Sequence, residues 1–132
     1  MILRDYVLFQ FAILMLLKYF ICEYILQTAE MTMSKYRYGS LNSLVHIAHH
    51  AFGTLVILLV YNVSLIQSIF LTLLEAFLHY HIDYIHIRYG AKSYRDKHYW
   101  QWLGAEQFLH QLTVILIMAL LVKFNPKLDI FF

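Results

Sequence analysis

Eight histidines lie between positions 46 and 110, most of them inside strongly apolar stretches where an ionisable side chain is expensive and usually functional. Their spacing says more than their number, because residues three or four apart share one face of a helix. Tyr19, Glu23 and Gln27 form a polar ladder in steps of four, with Lys18 beside it, read as snorkelling toward a headgroup. His46, His49 and His50 fall within about 100° of helical arc. Glu75, His79, Asp83 and His86 make one stripe, with His81 almost opposite. Glu106 and His110 are again four apart, with Gln107 next to them. Neutral imidazole with carboxylate oxygen is a donor set for zinc, iron or manganese, and the missing thiolates argue against copper(I) or an iron–sulfur cluster.

The elements that carry these residues follow from composition. Of 132 residues, 61% are hydrophobic and 14% charged, well below the roughly 25% charged of soluble domains. Ten Phe and eleven Tyr suit a bilayer, where aromatic rings anchor at the headgroups. A spanning helix needs about 20 mostly apolar residues. Four segments qualify, at about 6–27, 44–61, 65–87 and 100–124. The expectation is an all-α fold, a single transmembrane domain over 1–132 built as an up-down-up-down four-helix bundle. Asn62, Val63 and Ser64 leave room only for a tight hairpin between the second and third spans. Asn42 or Ser43 is the expected N-cap of the second, and Pro126 the stop of the fourth. The first apolar stretch is too long, and lacks a small-residue cleavage site, to read as a cleavable signal peptide. The lone Cys22 excludes an internal disulfide, and a net charge of +2 gives no reason to expect nucleic acid.

Lys35, Arg37, Arg88, Lys92, Arg95 and Lys97 belong to the face with both long loops, against Arg4, Lys123 and Lys127 on the face with the termini. That bias places the long loops in the cytoplasm and the termini outside. Trp100 and Trp102 fit an interfacial anchor.

In an alternating bundle the end of the first helix, the start of the second, the end of the third and the start of the fourth all meet at the long-loop face. Four helices thus bring imidazoles and carboxylates to one depth. The expected metal ligands are Glu23, His46, His50, His79, Asp83, Glu106 and His110. Seven exceeds the complement of one zinc, so either two metals bind or some residues orient the others. The same groups could instead satisfy one another by hydrogen bonds and only fix helix register. His81, His86 and His98 read as interfacial or loop residues, and Lys92 to Lys97 as a solvated loop near anionic headgroups.

Two further chemistries use the same residues. His46-Ile-Ala-His49-His50 has the His-x-x-His-His form of the membrane desaturases and hydroxylases, di-iron enzymes that use three such boxes where this chain has one clean copy. A b-type haem between facing histidines such as His50 and His110 would leave Glu23, Asp83 and Glu106 unexplained. The order of motifs also resembles an uncharacterised family of small bacterial and phage membrane proteins, domain of unknown function 3307. The stretches that carry the resemblance are Tyr19 to Gln27, Lys35, His46 to His50, His79-Tyr-His-Ile-Asp83 and Glu106-Gln107-Phe-Leu-His110. The family's first histidine is Tyr19 here, and Glu23 and Glu106 stand for aspartates. The resemblance implies which residues cluster and does not name a reaction.

The function expected on these grounds is a metal-dependent membrane enzyme acting on a lipid or lipid-linked substrate, with Glu106 or Glu23 as general base to a metal-bound water. The alternatives are a non-enzymatic helical subunit, held by a membrane-protein partner or a second copy of itself, a His-rich redox protein, and an ion or proton pathway. The apolar outer half offers the last of these no continuous polar route.

Overall fold

The computed structural model describes residues 2–125, all helix and connecting turns, with no strand among them. Helix α1 (Ile2–Phe20) runs directly into a π-helical turn, Ile21–Ile25. A short α2 (Ala29–Ser34) comes next, then α3 (Leu41–Val60), α4 (Leu65–Tyr89) and α5 (Lys97–Phe124). Four of these segments are long and apolar enough to cross a membrane: Asp5–Ile25, α3, α4 and α5.

Side-chain caps set the boundaries. Ser40, slightly earlier in the chain than the expected Asn42 or Ser43, accepts from the Ser43 amide at 3.3 Å. The reason is Gly39, whose φ of +75° turns the chain so that helical geometry begins at once. The Ser40 hydroxyl also donates to the Ser34 carbonyl, tying the start of α3 to the end of α2. Ser64 caps α4 and Asp96 caps α5. Asn62 takes the left-handed conformation (φ 54°) that lets the short link between α3 and α4 close. The expected helix stop at Pro126 and the charge at Lys127 lie outside the described residues.

The half of the bundle nearest the α3–α4 turn is packed with apolar side chains. Phe11, Met15, Leu58, Leu71, Ile117 and Leu121 have no exposed surface. Phe11 meets Tyr61 edge to face, ring centroids 5.4 Å apart. The outward faces are also apolar: Phe9, Phe52, Ile66, Phe77 and Ile115 are all exposed, a surface of the kind a bilayer covers. One residue per turn from each long helix therefore points inward at successive levels, and the polar levels sit above this apolar one.

Gly53 on α3 permits one of those levels. A Cβ placed there would lie 2.6 Å from Lys18 Cγ, whereas one at Gly104 on α5 meets nothing within 4 Å. Gly53→Val is expected to lower stability by about 1–3 kcal/mol through overpacking, whereas Gly104→Ala should raise it by up to about 1 kcal/mol. Thermal unfolding of both variants in one mild detergent reads the difference, and equal melting temperatures would refute the close approach.

Candidate functional site

The site begins where α1 stops being an α-helix. Over Ile21–Ile25 the backbone widens, and the Leu26 amide bonds to the Ile21 carbonyl five residues back at 2.9 Å. Such turns insert one residue into a helix and re-aim the side chains beyond it. Here the turn carries Glu23, which is buried with only 8% of its surface exposed. A π turn leaves no mark in apolar periodicity, so the sequence did not reveal it.

Lys35, the residue that ends α2, comes in from outside the spanning segments and is 4% exposed. Its neighbours hold it there. Gly39 N donates to the Tyr80 hydroxyl, and Tyr38 packs edge-on against Tyr80 and Tyr84 of α4. The Tyr36 ring lies under the Arg88 guanidinium at 5.0 Å and near the Lys92 ammonium at 5.6 Å. Lys35 Nζ thus reaches Asp83 Oδ2 at 2.8 Å and Glu23 Oε1 at 3.2 Å. Burial alone would lower the Lys35 pKa, but the Asp83 and Glu23 carboxylates outweigh it and hold the pKa above the usual lysine value. The residue stays an ammonium.

Three imidazoles surround the other oxygen of Glu23. His46, His50 and His79 place Nε2 at 3.1, 3.5 and 3.7 Å from Glu23 Oε2. All four side chains are buried. The rings pack closely, with centroids 3.9 Å apart for His50 and His79 and 4.9 Å for His46 and His50. Despite the short separations, both nitrogens of His46 and of His50, Nε2 of His79 and Oε2 of Glu23 make no hydrogen bond. One ligand atom from each of Glu23, His46, His50 and His79 lies within 4.8 Å of those of the other three. Ligands about 2.1 Å from a tetrahedral metal lie roughly 3.4 Å from each other, close to the separations from Glu23.

Asp83, His79 and His110 form a second, overlapping group whose ligand atoms also lie within 4.8 Å of one another. In this group the carboxylate already has protein partners. Oδ1 pairs with His110 Nε2 at 3.1 Å, and Oδ2 lies 2.8 Å from Lys35 Nζ and 3.5 and 3.6 Å from Nε2 of His46 and His79 without a hydrogen bond. Tyr19 lies against His50, His79 and His110 with centroids 5.2 to 6.0 Å away, and its hydroxyl donates to Gln107 at 3.0 Å. Because His50 and His110 both pack onto His79, 3.9 and 4.1 Å between centroids, no slot for a haem separates them.

Six of the seven expected ligands therefore converge: Glu23, His46, His50, His79, Asp83 and His110. Glu106 is in neither group. Its carboxylate pairs with His86 Nδ1 at 2.7 Å. The two form one wall of a cavity of about 290 Å³ that Glu23, Lys35, Gln107 and Lys92 also line. Within the His-x-x-His-His run, His49 points away from the cluster and lines a separate groove between α1 and α3. His81 bonds to the Phe77 carbonyl and lies near Tyr38, and His98 pairs with Gln101, both outside the site.

Lys18 does not snorkel. One level below the imidazoles, its Nζ donates to Glu75 Oε1 at 2.5 Å and to Thr54 Oγ1 at 3.0 Å, and the Thr54 hydroxyl donates to the second Glu75 oxygen. All three residues are buried, in a closed triangle. Glu75, which shares a stripe with His79 in the sequence, belongs to this level and not to the cluster above.

Fold and site together define a helical bundle with four potential membrane spans and a buried His/carboxylate cluster. The chain belongs to the family described as protein of unknown function (DUF3307), whose profile matches residues 11–132. No curated protein and no solved structure matches it.

The Lys18–Glu75 pair makes a further prediction. Lys18→Met alone leaves a buried carboxylate without its cation and should cost about 3–5 kcal/mol. Lys18→Met combined with Glu75→Leu removes both charges and should recover most of that loss. Thermal unfolding of the single and double variants decides it: a double variant no more stable than the single one refutes the pairing.

Proposed function

We propose that this protein is a multi-pass membrane protein with a mononuclear metal centre held by Glu23, His46, His50 and His79. The observation that carries this reading is a group of four buried side chains whose ligand atoms lie within 4.8 Å of one another, with Glu23 Oε2 and the three Nε2 atoms left without hydrogen bonds. Helices joined only by mutual hydrogen bonds would turn these atoms toward each other, since an unsatisfied polar group in an apolar interior costs about 1–3 kcal/mol. Imidazoles with one carboxylate suit zinc, iron or manganese.

A single ion is favoured over two. Asp83 is held by His110 on Oδ1 and has the Lys35 ammonium 2.8 Å from Oδ2, so we read it as orienting and neutralising rather than ligating. In this reading the bundle is up-down-up-down, and the excess of Lys and Arg on the long loops supports assigning them, and the cavity beside them, to the cytoplasmic interface. There the centre acts on a lipid or lipid-linked substrate. Four protein ligands fill a tetrahedral ion, so a bound metal would supply an activated water only by taking a fifth ligand, with Glu106, paired with His86 on the cavity wall, as the general base we assign.

Elemental analysis of protein purified in mild detergent without chelator tests the centre. We expect one equivalent of zinc, iron or manganese, lost in His79→Ala and His50→Ala and kept in His98→Ala. Well-folded protein with no metal would overturn the reading in favour of a structural subunit. Two equivalents would overturn the assignment of Asp83.

A further inference from the structure

Two carboxylates of the cluster each face two ways. Glu23 turns Oε2 to the three imidazoles and Oε1 to the Lys35 ammonium, 3.2 Å away. Asp83 Oδ2 lies 2.8 Å from the same ammonium and 3.5 and 3.6 Å from Nε2 of His46 and His79. That oxygen is buried and makes no hydrogen bond, although three nitrogen atoms stand within 3.6 Å of it. A carboxylate that faces two cationic positions at once has the role it plays between paired metal ions in helical bundles. Here one position is where the imidazoles converge, and Lys35 Nζ holds the other.

Charge decides how many ions this level holds. Among the described residues its buried carboxylates are Glu23, Asp83 and Glu106, and its buried ammonium is Lys35, with Lys18 committed to Glu75 one level below. With the imidazoles neutral, one divalent ion brings this set to zero net charge, the state a poorly solvated interior favours. A second divalent ion beside Lys35 would leave two positive charges uncompensated. Without the ammonium, one ion leaves a surplus negative charge, and a second divalent ion with one hydroxide restores neutrality. The cavity of about 290 Å³, lined by Glu23, Lys35 and Glu106, gives ions and water a way to this position. Lys35 also differs from its partners in origin. It ends α2, outside the spanning segments, whereas Glu23, His46, His50, His79, Asp83 and His110 all belong to those segments.

We infer that the Lys35 ammonium occupies a second cation position of this centre, between Glu23 Oε1 and Asp83 Oδ2, and thereby keeps the centre mononuclear. The inference rests on the metal centre proposed above. The long helices by themselves present ligands for two divalent ions: the imidazoles and Glu23 Oε2 for one, and Glu23 Oε1, Asp83 Oδ2 and water from the cavity for the other. The loop-borne lysine blocks the second position. An ammonium supplies the charge of a cation but gives water nothing to coordinate, so the centre has one Lewis acid where its carboxylates suffice for two.

The test uses full-length protein expressed with manganese(II) and purified in mild detergent without chelator. Total metal per chain is measured by elemental analysis, and the manganese by electron paramagnetic resonance. The unmodified chain is expected to hold one ion, with the resonance of an isolated manganese. Lys35→Ala should hold about two, lying about 3.5–4 Å apart as in two-metal sites and giving the signal of a spin-coupled pair. Lys35→Arg keeps the charge and should stay at one. If Lys35→Ala does not fold, Lys35→Gln, which is neutral and keeps most of the stem, carries the same expectation. One ion in the neutral variant would overturn this inference and leave the metal centre standing. Loss of all metal from it would make Lys35 a support for Glu23, and would overturn the inference as well. Two ions already in the unmodified chain would do the same, whereas a metal-free unmodified chain would overturn both readings.

Discussion

Everything above the apolar core depends on one constraint: imidazole nitrogens and carboxylate oxygens removed from water must be given partners. The four long helices meet that demand level by level. Phe11, Leu58, Leu71 and Leu121 need none. At the next level the demand is met within the protein, because Lys18, Thr54 and Glu75 use their donors and acceptors on one another. One level higher it is only partly met. His110 bonds Asp83 Oδ1 and the Lys35 ammonium lies beside Oδ2, while Glu23, His46, His50, His79 and Asp83 Oδ2 itself keep buried atoms without hydrogen bonds. The contrast between these adjacent polar levels argues for a ligand at the upper one. The same helices, in the same apolar surroundings, complete a polar network below and leave one open above.

The positioning devices are as specific as the site. The loop-borne lysine reaches a buried carboxylate pair because Tyr36 and Tyr38, which follow it, pack on Arg88 and on Tyr80 and Tyr84 of α4, and Gly39 turns the chain into α3. Glu23 reaches the imidazoles from a widened turn of α1. Both are local departures from regular structure, and both serve the same cluster.

Much of this was legible in the sequence. Apolar runs of spanning length marked the four long helices, and steps of three and four placed Glu23, His46, His50, His79, Asp83 and His110 on inward faces. Four things were not legible. The π turn does not alter hydropathy. The short α2 lies in a polar stretch whose only signals, Thr28 and Ser40, are common turn residues. Lys35 stands apart from every helical stripe, so spacing gave no reason to bring it to the centre, although its place in the family's motif order hinted at it. The stripe Glu75–His79–Asp83–His86 looked like one unit. The helix rise spreads it over three levels with different partners: Lys18 for Glu75, the cluster for His79 and Asp83, and Glu106 for His86. Periodicity reports a shared face and says nothing of depth, which depends on the register of the neighbouring helices.

The extra residue in the π turn also bears on how such a chain could lose its role over evolutionary time. Deleting one residue between Ile21 and Ile25 would restore an ordinary helix and turn everything beyond it by about 100°. The span would keep its length, its hydrophobicity and every histidine on the other helices. Only the relation between Glu23 and the loop beyond it, and so the approach of Lys35, would change. Relatives that differ by a single gap at this point would look like full members by composition and motif order, yet hold an eroded centre, and alignments of such chains are best judged at these five positions first.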